Sequence, residues 1–138
     1  LAFLINQGLN FKFVQRRKSW EVLSKGLKWS HLLFDFDDSV RSGCQYVLIQ
    51  NQSWNSHELQ ATGTLGLFDM EQSNRGFLIP EEKKVDYLLM VFGGSHPDNC
   101  QQLMEELKGV KQIQAIRVLN LDKLKSKSNL LHIIDDYE

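Results

Sequence analysis

The sequence predicts an α+β domain: a largely antiparallel sheet with helices on one face, a ferredoxin-like or ACT-like sandwich with an inserted β-hairpin. Three observations carry that expectation. The run "HLLFDFDDSVRSGCQYVLIQ" (31–50) holds two β-rich arms around a polar turn ending in Ser42 and Gly43, a hairpin signal. "VDYLLMVF" (85–92) is a near-continuous apolar run with Gly93 and Gly94 behind it, as expected of a central strand covered on both faces. "DNCQQLMEELKG" (98–109) follows with Cys100, Leu103, Met104 and Leu107 at helical spacing, and "IQAIRVLNL" (113–121) then reads as another strand.

In chain order, "LAFLINQGLN" places Leu1, Leu4 and Ile5 before Gly8, like the end of a helix already under way. The first residue is leucine, so the expectation is a single domain over 1–138 whose native chain begins earlier. "NFKFVQ" alternates Phe11 and Phe13 with Lys12 and Val14, the period of a half-buried strand. "SWEVLSKGLKW" (19–29) stays open between two readings: Ser19 suits a helix cap, while Gly26 interrupts a helix. On the first arm of the hairpin Leu32, Phe34 and Phe36 share one face and Asp35 and Asp37 the other, so one sheet face is expected to meet water. Residues 51–76 are polar, with scattered Trp54, Leu65, Leu67 and Phe68. A structureless loop of that length is unusual, so a short helix or strand is expected around "GTLGLF" (63–68). For the helix after Gly94, Asp98 is the expected cap, Gln101 completes a capping box, and Gly109 is the stop.

Composition bounds the rest. With 42% hydrophobic and 24% charged residues, 138 residues make one globular core. A net charge of −1 excludes binding nucleic acid through bulk positive charge, so any charge-driven contact must come from local asymmetry. Two cysteines without C-x-x-C spacing fit a cytoplasmic protein better than a disulfide scaffold or a zinc site. No run of about 18 apolar residues exists to cross a membrane.

Four charges, Glu81 to Lys84, and a proline precede the apolar run, and Asp86 is its second residue. Pro80 fixes φ and offers no N–H, which suits a stiff turn delivering the chain to the sheet. Burying Asp86 would demand a partner such as Lys83, Lys84 or Arg117, because an unpaired buried carboxylate is costly. The simpler expectation is a carboxylate at the strand's wet entrance.

Ile79, Pro80, Glu81, Val85, Asp86 and Tyr87 spell I-P-E-x-x-x-V-D-Y, which resembles the bacterial family named for its IPExxVDY motif. Similar segments occur at "LAFLINQGLNFKF", the hairpin, the helix before "GVKQIQAIRVL", and "LDKLKSKSNLL", so the likeness covers most of the chain. Three residues, Glu82 to Lys84, stand where the family name shows two. The resemblance implies a strand and the start of a helix ahead of Leu1. It implies no activity, since the family brings no assigned catalytic residues.

Candidate chemistry is sparse. Asp35, Asp37 and Asp38 cluster, but the glycine and distal glutamate of a calcium loop are missing. His31, His57, His96 and His132 fall in four segments without ligand spacing, so neither metal nor cofactor is expected. Cys100 reads as core. "GGSHPDN" (93–99) precedes a helix but lacks the phosphate-loop spacing and lysine. Six basic residues (Lys12, Arg16, Arg17, Lys18, Lys25, Lys28) with Trp20 and Trp29 interleaved form one cluster; Lys123, Lys125 and Lys127 form another. They fit either a phosphate-tracking surface or lysines guarding a sheet edge.

The leading expectation is a cytoplasmic, non-catalytic binding or regulatory module contacting a protein partner or small ligand, with an exposed edge strand available for a homodimer. The alternative is RNA or single-stranded nucleic-acid binding through 12–29, with Lys12, Arg16, Arg17, Lys18 and Trp20 as contacts. A third, a small enzyme, requires a concave pocket holding two or more of Glu81, Asp86 and the Asp35–Asp38 cluster.

Overall fold

The computed structural model describes residues 1–24, 26–54, 75–94 and 98–137. In chain order these form α1 (Ala2–Leu9), β1 (Val14–Gln15), β2 (Trp20–Ser24), β3 (Leu27–His31), β4 (Leu33–Asp38), β5 (Cys44–Gln50), β6 (Gln52–Trp54) and β7 (Arg75–Phe77). A 3-10 turn at Pro80–Glu82 leads to β8 (Tyr87–Gly93), α2 (Asp98–Lys108), a second 3-10 turn at Leu121–Lys123 and α3 (Ser128–Tyr137). The fold is α+β: a four-stranded antiparallel sheet in the order β1-β4-β5-β8, with the ribbons β2-β3 and β6-β7 beside it.

The expected hairpin is β4-β5, paired from Leu33 opposite Ile49 to Asp38 opposite Cys44. Its turn is closed by the Arg41 and Ser42 amides donating to the Asp38 carbonyl at 3.1 and 2.9 Å, and Gly43 takes φ 72°, where a side chain would be strained. β5 then decides the layering. Cys44, Tyr46 and Leu48 join Phe11, Phe13 and Phe36 under Ala2 and Ile5 of α1 and Leu103 and Leu107 of α2. The alternate residues Val47 and Ile49 join Leu33, Leu78, Ile79 and Leu88 under Leu130 and Ile133 of α3. A strand apolar on both sides must be covered on both. Helices therefore lie on both faces, not on one as expected, and the Asp35 side of the hairpin faces α3 rather than open water.

Other expectations are corrected too. The run from Val85 is a strand, but it stands at the end of the sheet order instead of its centre; β4 and β5 hold the two central places. Residues 113–120 form no strand. Ile113 and Ile116 pack with the first core cluster and Leu119 with the second, so this segment carries the chain from one face to the other. The strand expected after α2 is accordingly absent. "SWEVLSKGLKW" resolves into the β2-β3 ribbon, with Gly26 at φ 75° in its turn. Cys100 is exposed, and burial along α2 begins at Leu103. α1 runs one residue past Gly8 and ends on Asn10, whose left-handed φ of 56° a short polar side chain tolerates. The expectation for "GTLGLF", the residues Lys25, His57 and His96, and the side chains of Trp54 and Asp98 lie outside the described residues.

Candidate functional site

The motif residues wrap around one buried side chain, that of Asn51, at the end of β5. Asn51 Oδ1 accepts the Ile79 amide at 2.8 Å, and Nδ2 donates to the carbonyls of Glu82 (2.9 Å) and Val85 (2.8 Å). Its own amide donates to the Asp86 carbonyl at 2.9 Å, and its carbonyl accepts the Leu78 amide at 2.8 Å. An amide side chain offers both acceptor and donors, so one residue satisfies both ends of a turn that no ladder pairs. Ile79 is fully buried, Pro80 opens the 3-10 turn, and Tyr87 opposite Gln50 begins the strand. The Glu81 carboxylate accepts the Ser126 amide at 2.8 Å and the Ser126 hydroxyl at 2.9 Å, tying the turn to the approach of α3. Glu82 is bonded by Arg117, which thus serves Glu82 and not Asp86. Asp86 itself is exposed at the strand entrance.

What this turn delivers is the last strand in the sheet order among the described residues. In an antiparallel ladder the inward and outward backbone groups alternate. The Asn51 to Asp86 bond at one end and the Gly94 to Gly43 bond (3.1 Å) at the other fix the phase. The N–H and C=O groups of Leu88, Met90 and Phe92 face β5. Those of Tyr87, Leu89, Val91 and Gly93 face outward, and no strand pairs with them among the described residues. From Tyr87 to Gly93 the edge carries no charge, and Val91 is 41% exposed.

The opposite margin is built differently. β1 is two residues long and flanked by Lys12, Arg16, Arg17 and Lys18, features that discourage edge pairing. Of the residues expected to touch nucleic acid, Lys12, Arg17 and Lys18 are exposed. Arg16 is bonded to Asp35 (2.6 Å) and to the Tyr137 hydroxyl, and its guanidinium lies 5.1 Å from the centroid of that ring. Trp20 is half-buried and donates its indole N–H to the Asn129 carbonyl at 3.0 Å; Trp29 is buried against Gly76; Lys28 pairs with Glu21 at 2.7 Å. The structure does not bring these groups together as a stacking platform.

The carboxylates are likewise engaged one by one. Asp35 accepts from Arg16 and from the Tyr137 hydroxyl (3.1 Å), and Tyr137 stacks on Phe92 with centroids 5.0 Å apart. Burial and the Asp35 carboxylate push the Tyr137 phenol up to about 12. Asp37 takes the Ser39 amide at 2.9 Å, and Asp38 pairs with Arg41 at 3.2 Å. A shallow hollow of about 250 Å³ between Tyr46, Arg41 and Glu106 includes Asp38 but not Glu81, Asp86, Asp35 or Asp37. No metal-binding group of His, Cys, Asp or Glu occurs among the described residues, and no helix among them is long and apolar enough to cross a membrane.

Sequence reasoning missed Asn51, the burial of His31 and the Trp29–Gly76 contact. His31 is fully buried; its Nδ1–H donates to the Gln50 carbonyl at 3.0 Å, and Nε2 has no partner among the described residues. A Cβ on Gly76 would lie 2.2 Å from the indole of Trp29. No family model matches the chain, and no curated protein or solved structure matches it either.

Proposed function

We propose that this chain is a non-catalytic binding module that receives an extended segment of a protein partner along β8, as an added strand. The contrast between the two sheet margins carries the reading: one is short and flanked by positive charge, the other is seven residues long, uncharged and without a paired neighbour among the described residues. Main-chain hydrogen bonds supply affinity in this mode, and alternate side chains supply selectivity. The motif turn, on this reading, holds the strand in place. Its resemblance to the IPExxVDY family is thus a resemblance in a supporting element, and it brings no reaction with it.

Selection of displayed extended peptides on the immobilised protein tests the reading. Binders are expected that lose affinity for the Val91→Pro variant, since Pro removes an outward N–H while leaving the β5 ladder bonds in place. Failure to select any binder, or binders indifferent to Val91→Pro, contradicts it.

A further inference from the structure

The β8 edge is complementary to itself, and we infer that its occupant is a second copy of this chain, joined about a two-fold axis at Met90. This rests on the strand-addition reading above and names its partner. Pairing two β8 strands antiparallel, outward groups can bond only with outward groups. The register that uses all of them sets Tyr87 opposite Gly93 of the partner subunit and Leu89 opposite Val91 of the partner subunit, with the two Met90 residues facing each other. Pairing stops at the strand entrance because the next residue in the alternation, Val85, is already engaged: its N–H donates to the Glu82 carbonyl and its carbonyl accepts from Asn51 Nδ2.

Charge supports the same occupant. The strand itself is neutral, so self-pairing opposes no like charges along its length. Asp86, the exposed charge next to the strand, falls opposite Gly94 of the partner subunit, where an antiparallel mate presents no side chain. A parallel mate would instead stack the two entrances against each other. The antiparallel arrangement is the isologous contact expected of a two-fold dimer, and it would extend the four-stranded sheet continuously to eight strands.

The register is tested by oxidation of Met90→Cys in a Cys100→Ser background. Position 90 would be a non-hydrogen-bonded pair with Cα atoms roughly 4.5 Å apart, inside the span of a disulfide. A disulfide-linked dimer is expected, and in a mixture of Leu89→Cys and Val91→Cys chains the mixed disulfide should exceed either homodimer. Sedimentation of the unaltered chain should show a concentration-dependent dimer, weakened about tenfold or more by Val91→Lys. That substitution sits at an exposed position, so folding is retained and checked by circular dichroism. A monomer throughout the micromolar range overturns the inference, and so does a dimer insensitive to Val91→Lys or unable to form the Met90→Cys link. If the monomer still selects peptides that need Val91, strand addition stands and only the second copy is lost.

Discussion

Asn51 Oδ1 accepts the Ile79 amide at 2.8 Å while the Nδ2 of the same side chain donates to the Val85 carbonyl at 2.8 Å, closing the turn that begins β8 from both ends. Asn51 and Ile79 are both fully buried. Replacing Asn51 by Leu removes three bonds and leaves a buried amide without a partner. A loss of roughly 3 kcal/mol is expected in denaturant unfolding. Asn51→Asp should be comparably damaging at neutral pH, because a carboxylate cannot donate to the carbonyls of Glu82 and Val85. Near-wild-type stability for both variants would show that the turn is held by something else.

Gly76 lies against the face of Trp29, where an added Cβ would stand 2.2 Å from an indole carbon. Gly76→Ala is therefore expected to cost about 1–3 kcal/mol by overpacking. Trp29→Leu in the same chain should recover part of that loss, a coupling read from a double-mutant cycle. Additive costs would count against the contact.

His31 is kept neutral by its surroundings: burial pushes its pKa down, and the bond to the Gln50 carbonyl only partly opposes this. Because the folded pKa lies below the unfolded value of about 6.5, the unfolded chain binds more protons between the two. The His31 contribution is fully present above about pH 6.5 and is lost as pH falls through the folded pKa. Unfolding free energy measured across this window should decline toward acid, and His31→Gln should flatten the decline. An unchanged slope in the variant would assign the pH dependence to other groups.

Arg16, directly after β1, meets Asp35 of β4 and Tyr137 of α3 on the second face of the sheet. Arg16 and Asp35 are each about a third exposed, with side-chain exposures of 36% and 34%, so solvent screens the pair. A double-mutant cycle on Arg16→Ala and Asp35→Ala should give a coupling of about 0.5–1 kcal/mol that shrinks with added salt. In ultraviolet titration the Tyr137 phenol should ionise only toward about 12, identified by difference from Tyr137→Phe. Ionisation at the ordinary value near pH 10 would contradict the placement beside Asp35.

Much of the local structure was legible because it follows from side-chain period. The alternation of Phe34 and Phe36 with Asp35 and Asp37, and the Ser42–Gly43 turn, predict the β4-β5 hairpin that is found. Lateral position in the sheet has no such signal. A continuous apolar run means cover on two faces, which Leu88 and Leu89 receive from different clusters, yet it says nothing about whether a neighbour stands on each side. The same limit explains residues 113–120, where Ile116 and Leu119 are apolar because the chain passes around to the other face, not because it pairs. Asn51 opens a polar stretch, and nothing in "QNQSW" distinguishes a buried amide that bonds across 28 residues of sequence from a solvated one. Of the candidate site, the motif residues and the strand were visible, while the sheet margin required the strand order.

Amide hydrogen exchange along β8, measured residue by residue in the Val91→Lys variant to keep the subunits apart, tests the central claim most directly. Rapid exchange is predicted at Tyr87, Leu89, position 91 and Gly93, alternating with slow exchange at Leu88, Met90 and Phe92, whose amides bond to β5. Uniform protection along the strand would place a further neighbour on its outer side and contradict the account.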